Sequence, residues 1–168
     1  MSGYSGISCS GRSTDVFRSA ILCVCFCLGL AATSLASEDL VLRVYDWKTG
    51  KKYVEVPARA NGKLFFGWMH SLEKFPWNEL YHIDANGNLI LDSIAFSAFG
   101  AGVPESKGDR CYVKDGMIHM DNIRQVFPEL VWINSHYATR QITLDGDPVT
   151  SGAELPQHTR VRLIIERR

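Results

Sequence analysis

The fold is decided by residues 77–99, WNELYHIDANGNLILDSIAFSAF, in which two apolar runs flank the dipeptide Asn86-Gly87. Asn-Gly favours a type I′ turn, because both central residues of that turn need a positive φ. The run before the turn ends at Ile83, and the run after it begins at Leu89. Apolar runs of this length bounded by turn residues are typical of strands. The stretch therefore predicts an antiparallel β-hairpin.

Short apolar runs of the same kind recur along the chain on both sides of this hairpin. Asp115-Gly116 and Asp145-Gly146 supply two further turn signals. One helical turn is predicted over residues 123–127, with Asn122 as its N-cap and Pro128 closing it. Strands are predicted over residues 40–45, 52–56, 63–71, 77–83, 89–99, 110–114, 117–121, 130–133, 139–144 and 159–166. The expected fold is all-β, a single mostly antiparallel sandwich or open barrel of about nine or ten short strands.

Residues 1–36 have the three parts of a secretory signal peptide. Two arginines precede an uncharged apolar run, and Ser34-Leu35-Ala36 places small residues at a cleavage site. We expect cleavage before Ser37 and export to the periplasm or extracellular space. The mature all-β domain, residues 37–168, is then expected to have no stable membrane insertion. An uncleaved membrane anchor is the alternative, since the uncharged stretch approaches the length that spans a bilayer.

Composition argues against a nucleic-acid-binding protein and against a protein stabilised by disulfides. The 18 Lys and Arg residues balance the 18 Asp and Glu residues, so broad attraction to nucleic acid is absent and no nucleic-acid partner is expected. Of the 5 cysteines, all except Cys111 lie within the predicted signal peptide. The mature domain therefore cannot form an intramolecular disulfide, and a lone thiol of this kind is expected to be buried and inert. No cofactor is expected.

The densest cluster of chemically active side chains lies in residues 68–81, WMHSLEKFPWNELY, which hold the candidate site residues His70, Ser71, Glu73 and Glu79. Strand residues of equal parity share a face, so a hairpin with His70 opposite Glu79 would let the imidazole and the carboxylate hydrogen-bond. Such a pair either serves nucleophilic catalysis or stabilises the end of a hairpin. We favour the structural role, because Ser71 faces the other side of a regular strand and cannot form a catalytic dyad with His70 there. No metal site is expected, since the histidines lack the spacing of zinc ligands.

The segment Gly100-Ala101-Gly102 ends the long strand of the predicted hairpin. No helix follows it, so it is not a dinucleotide-binding motif. The two glycines form either a turn whose backbone N–H groups receive an anion or a β-bulge at a corner. Glu73 and Glu79 repel an anion. A positive charge on His70, Lys74 or Arg140 must therefore offset this repulsion if an anion binds. The expectation is one pocket, bordered by the hairpin cluster and this corner.

Residues 68–79 and 99–104 resemble the bacterial domain-of-unknown-function family eighteen-fifty. They carry an aromatic-x-His-Ser-x-Glu run followed by a Gly-Ala-Gly-x-Pro corner, in the order found in that family. Members of the family are small exported proteins, and their genes often lie beside those of TRAP-type carboxylate transporters of the TAXI group. The resemblance implies a cell-envelope role near solute uptake and supplies no reaction.

The expected function is that of an exported accessory or small-ligand-binding module associated with TRAP-type carboxylate uptake. Its expected partners are a small anionic solute, such as a carboxylate, and components of a TRAP transporter. Two alternatives stay open at this point. One is a small cell-envelope hydrolase that uses His70 with Glu79 or Glu73. The other is a structural β-module that docks another protein.

Overall fold

The computed structural model describes residues 40–100, 104 and 106–168, and the predicted signal peptide lies outside these residues. Within them the chain is all-β and contains no helix. It forms eleven strands: β1 (Leu40–Asp46), β2 (Lys52–Ala58), β3 (Lys63–Met69), β4 (Pro76–Ile83), β5 (Leu89–Phe96), β6 (Arg110–Lys114), β7 (Met117–Phe127), β8 (Glu129–Ile133), β9 (Thr139–Leu144), β10 (Asp147–Ser151) and β11 (Arg160–Arg167).

The strands form two antiparallel sheets that pack as a sandwich. The smaller sheet has the order β2-β1-β11-β8, and the larger has the order β10-β9-β3-β4-β5-β7-β6. Alternate side chains of each sheet meet in one apolar core, as a half-buried antiparallel sheet requires. The core contains fully buried residues from both sheets, among them Leu42, Val44 and Leu163 from the smaller and Leu64, Ile83 and Phe96 from the larger. The structure thus selects the sandwich over the open barrel.

The hairpin predicted from Asn86-Gly87 is present as β4 and β5, with Ile83 paired to Leu89. The predicted type I′ turn is wrong, because among residues 84–88 only Gly87 has a positive φ. The Asp84 carboxylate accepts hydrogen bonds from the backbone N–H groups of Asn86 and Asn88, both at 2.8 Å. Gly87 takes a φ of 86°, a value at which a side chain would be strained. The turn therefore fixes the register of the two strands that carry most of the candidate site.

The predicted helical turn over residues 123–127 is wrong, because this segment is the second half of β7. Leu89 pairs with Phe127 and Ser93 with Asp121, so β5 supplies the backbone partners that a helix would have found within itself. The register shifts between these two pairs, and Asn122 takes a φ of 59° at that irregularity. Asn122 is thus part of a bulge in β7 rather than a helix cap.

Two further features differ from the sequence-based expectation. The strand β10, which pairs with β9 through the Asp145-Gly146 turn, was not predicted. Cys111 is exposed rather than buried, because it lies on β6, the outermost strand of the larger sheet. Within the described residues, no helix has the length and hydropathy needed to cross a membrane.

Candidate functional site

A cavity of about 940 Å³ opens between β8 and the inner face of the larger sheet. It lies there because β8 is the last strand of the smaller sheet, while the larger sheet continues beyond it. All five residues of β8 line the cavity on one side, and side chains of β3, β4 and β5 line it on the other. The described lining residues are Phe66, Trp68, His70, Trp77, Glu79, Tyr81, Leu91, Ile94, Pro104, Lys107, Phe127, Glu129, Leu130, Val131, Trp132, Ile133, Ala138 and Thr139.

Glu79 is the acidic group on the inner face of β4, between Trp77 and Tyr81. Its Oε1 accepts a hydrogen bond from Trp77 Nε1 at 3.1 Å, and its Oε2 accepts one from the Tyr81 hydroxyl at 2.6 Å. The Trp68 side chain, from the neighbouring strand β3, also donates to this carboxylate. Three aromatic side chains that line the cavity are therefore oriented by one acidic group.

Burial raises the pKa of the Glu79 carboxyl above its ordinary value, because the interior disfavours the charged form. The hydrogen bonds from Tyr81, Trp68 and Trp77 act in the opposite direction and offset part of this rise. The Lys107 ammonium lowers the same pKa through its charge. Burial, followed by the charge of Glu79 and its hydrogen bond, also raises the pKa of Tyr81. Tyr81 therefore remains a hydroxyl donor.

The aromatic side chains of the wall contact one another as well as Glu79. The ring centroids of Trp68 and Trp77 lie 5.2 Å apart in a stacked arrangement, and those of Trp77 and Phe96 lie 4.9 Å apart. The His70 ring continues the row, 6.0 Å from Trp68 and 5.2 Å from Phe75. Such packing fixes the rings before any ligand arrives, which reduces the entropy cost of binding.

His70 and Glu79 line the same cavity, but the predicted cross-strand pair between them is wrong. Glu79 pairs with Phe66 in the β3–β4 register. His70 lies at the turn, where its backbone N–H donates to the Phe75 carbonyl at 2.9 Å. The expected pairing assumed a longer connection than the tight turn that the chain makes. His70 Nδ1 instead accepts from the backbone N–H of Glu73 at 3.4 Å, which leaves the hydrogen on Nε2.

Ser71 and Glu73 are exposed in the turn between β3 and β4, and neither is among the described residues that line the cavity. Glu73 lies against Gly100: a Cβ built on that glycine would be 2.9 Å from Glu73 side-chain atoms. The hairpin turn and the start of the glycine corner are therefore neighbours, but Gly100 is not among the described residues that line the cavity. Gly102 lies outside the described residues, and the segment after it reaches the cavity at Pro104.

Arg140 does not join this cavity. It is exposed on β9 and lines a smaller surface groove with Asn78, Gln141 and Phe65. Asn78 alternates with Trp77 and Glu79 along β4, so this groove lies on the opposite face of the larger sheet. Among the described cavity residues, the cations available to an anion are Lys107 and, when protonated, His70.

Two functional candidates were missed from the sequence. Lys107 lies in the polar segment after the glycine corner, where its ammonium donates to the Gln125 side chain at 3.1 Å. Trp132 alternates with exposed Val131 and Ile133 on β8, a signal of an inward position. Its Nε1 is buried and has no hydrogen-bond partner among the described residues.

The acidic residue Glu129, at the start of β8, is held by Arg162 at 3.5 Å. Within the described part of the chain, no group of three or more His, Cys, Asp or Glu side chains converges as metal ligands would. The cavity combines aromatic walls with a few polar groups, the composition that is typical of small-molecule sites.

Comparison with known proteins places the chain in a family, although two of the three comparisons found no match. No match to the chain was found among curated proteins or among solved structures. The model of the family described as a domain of unknown function, DUF1850, matches residues 65–150. The match contains every described residue that lines the cavity, and it spans half of the chain. The chain belongs to the DUF1850 family.

Proposed function

We propose that the protein is an exported accessory module that binds a small carboxylate in this cavity and serves TRAP-type carboxylate uptake. The observation that carries the proposal is the cavity, whose volume of about 940 Å³ lies in the range of small-molecule sites. Its lining also has the composition of such sites, with apolar and aromatic walls and few polar groups. Export is supported by the apolar N-terminal segment, and the link to uptake by the family resemblance.

The polar groups of the cavity support a carboxylate as the ligand. Lys107 supplies a cation, and the imidazole of His70 supplies an N–H donor. Glu79 repels an anion less than its formal charge implies, for two reasons. Its oxygens already accept hydrogen bonds from the protein, and its raised pKa increases the neutral fraction. A ligand carboxylate that accepts a hydrogen bond from the Lys107 ammonium forms a charge-assisted hydrogen bond, which is stronger than one between neutral groups.

Isothermal calorimetry of the purified protein with acetate, propionate and succinate tests the proposal. We expect measurable heat for at least one of these ligands. Lys107→Ala should weaken binding by at least about tenfold, because a hydrogen bond to a charged group contributes about 1.5–3 kcal/mol. Arg140→Ala is the matched control, because Arg140 is a cation on the opposite face of the same sheet. Its affinity should equal that of the unmodified protein.

Two outcomes contradict the proposal. The first is the absence of heat with every carboxylate at millimolar concentration, in which case the docking-module alternative replaces it. The second is an equal loss of affinity in the Lys107→Ala and Arg140→Ala variants, which would mean that general surface charge rather than the cavity attracts the ligand.

A further inference from the structure

Two acidic side chains are among the described residues that line the cavity, and they differ in their partners. Glu129 is held by Arg162 at 3.5 Å. Glu79 belongs to none of the ion pairs among the described residues, and its hydrogen-bond donors, two indoles and a phenol, are all neutral. The Glu79 side chain is half-buried and keeps surface towards the cavity. An anionic group in apolar surroundings favours a positive charge beside it, so this carboxylate can pair with a cation of the ligand.

Aromatic rings make up most of the wall near Glu79. Trp68, which donates to the Glu79 carboxylate, is half-buried, and so is Phe127 at the end of β7. The Phe127 ring lies 5.9 Å from the ring of Tyr81 in an edge contact. An aromatic face attracts a cation that lies within about 6 Å of the ring centroid. The wall therefore favours a cationic group whose outer surface is apolar.

The hydrogen bonds that Glu79 already accepts select the kind of cation. A carboxylate has about four acceptor positions. Glu79 receives Trp77 Nε1 at 3.1 Å, the Tyr81 hydroxyl at 2.6 Å and the Trp68 side chain. A primary ammonium would therefore leave most of its N–H groups against aromatic carbon, without an acceptor from Glu79. A quaternary ammonium carries the same charge, has no N–H group to satisfy, and presents methyl groups to the wall.

We infer that the ligand is a quaternary ammonium carboxylate, a betaine, whose ammonium lies between Glu79 and the aromatic wall and whose carboxylate pairs with Lys107. The inference rests on the proposed function, because it names the ligand class of the same cavity. Lys107 also lines the cavity, and its charge lowers the pKa of the Glu79 carboxyl, so the two charges lie within electrostatic reach of each other. A small zwitterion can meet both charges at once, and its ammonium offsets the repulsion between Glu79 and its carboxylate.

The first test compares three ligands by calorimetry with the purified protein. Glycine betaine and 3,3-dimethylbutyrate have the same shape and one carboxylate each, but a neutral carbon replaces the ammonium nitrogen in the second. We expect glycine betaine to bind at least about tenfold more tightly, from its attraction to the aromatic rings and to Glu79. Glycine has the same two charges with three N–H groups in place of the methyl groups, and it should bind more weakly than glycine betaine.

The second test removes the negative charge of the wall. Glu79→Gln should reduce the preference for glycine betaine over 3,3-dimethylbutyrate by at least about threefold. The ratio of the two affinities is the readout, because a wall disturbed by the substitution would weaken both ligands. Glu73→Gln is the matched control, since Glu73 is exposed in the turn after β3 and is not among the described residues that line the cavity. Its ratio should equal that of the unmodified protein.

The third test needs no substitution. The N-methyl protons of glycine betaine give one NMR signal, and protons that lie over the face of an aromatic ring are shielded by its ring current. We expect this signal to move upfield as the unmodified protein is added, in proportion to the bound fraction.

The outcomes separate this inference from the proposed function. Affinity for 3,3-dimethylbutyrate equal to or above that for glycine betaine overturns the cationic group, while carboxylate binding in the cavity stands. Tighter binding of glycine than of glycine betaine overturns the quaternary ammonium. An unchanged ratio in Glu79→Gln overturns the pairing with Glu79, and an unmoved N-methyl signal overturns the contact with the aromatic wall. If none of the carboxylates binds, both the inference and the proposed function fall.

Discussion

Replacing Glu79 by Gln tests whether this carboxylate organises the cavity wall. Gln has nearly the same shape, but one of its two terminal atoms is a donor rather than an acceptor. Oε1 of Glu79 receives the Trp77 N–H, and Oε2 receives the Tyr81 hydroxyl. If the NH2 group faces Trp77, the indole N–H loses its acceptor. If it faces Tyr81, the NH2 group donates to the hydroxyl oxygen and the hydroxyl hydrogen loses its acceptor. Glu79→Gln therefore leaves at least one donor of the wall without its acceptor.

The expected loss of unfolding free energy is about 1–3 kcal/mol, the usual effect of leaving one buried donor without a partner. The loss depends on pH. Because the folded-state pKa of Glu79 is raised, wild-type stability is greatest below the unfolded value of about 4.3. That stability declines as pH rises through the folded value. Since Gln does not titrate, the difference between the two proteins should be largest in acid and shrink as pH rises.

Urea denaturation followed by tryptophan fluorescence measures these differences. Tyr81→Phe and the double variant Glu79→Gln/Tyr81→Phe complete a cycle, in which the coupling between the two side chains should be about 1 kcal/mol. A coupling of zero would refute the role of Glu79 as the common acceptor. A stability difference that grows with rising pH would refute the raised pKa.

Three further predictions concern stability, measured by urea or acid denaturation. Asn134→Ala should cost about 2–4 kcal/mol, because the buried Asn134 amide donates to three backbone carbonyls within 3.0 Å; a loss below that of an ordinary surface variant would contradict this. Gly108→Ala should lower the free energy of unfolding by about 1–3 kcal/mol more than Gly116→Ala does. Both glycines have a positive φ, but only at Gly108 would an added Cβ overlap the Asp121 carbonyl. Equal losses in the two variants would count against this explanation. Hydrogen bonds from Lys52 and Arg43 lower the pKa of Glu55 to about 2, so the ionised Glu55 stabilises the fold above the ordinary Glu pKa and this stabilisation is lost as pH falls towards 2. Glu55→Gln should therefore flatten this part of the acid unfolding curve. An unchanged slope would refute the assignment.

Features fixed by local chemistry were predictable from the sequence. The hairpin at Asn86-Gly87 depends on neighbouring residues, and the structure confirms it and its two strands, although the turn is not of type I′. The alternation along β4 also placed Glu79 on one face with Trp77 and Tyr81, which the structure confirms through their hydrogen bonds. The composition of residues 68–81 indicated the right region for the wall of the cavity.

Features fixed by distant contacts were not predictable in the same way. Residues 123–127 have a sequence that fits a helical turn, and only pairing with β5 makes them a strand. The offset between His70 and Glu79 depends on how many residues the turn after β3 uses, which alternation alone does not specify. Trp132 lines the cavity because β8 lies at the edge of its sheet, opposite β3 and β4, and strand order is a property of the whole fold.

The most direct measurement of the central claim is an NMR titration of the indole N–H signals with propionate. The chain has 4 tryptophans. Trp68, Trp77 and Trp132 line the cavity, and Trp47, 48% exposed, lies outside the described lining and serves as an internal reference. Binding in the cavity predicts saturable shifts of the first three signals, with Trp47 staying in place. Shifts confined to Trp47, or no saturable shift at all, would contradict the claim that this cavity binds a carboxylate.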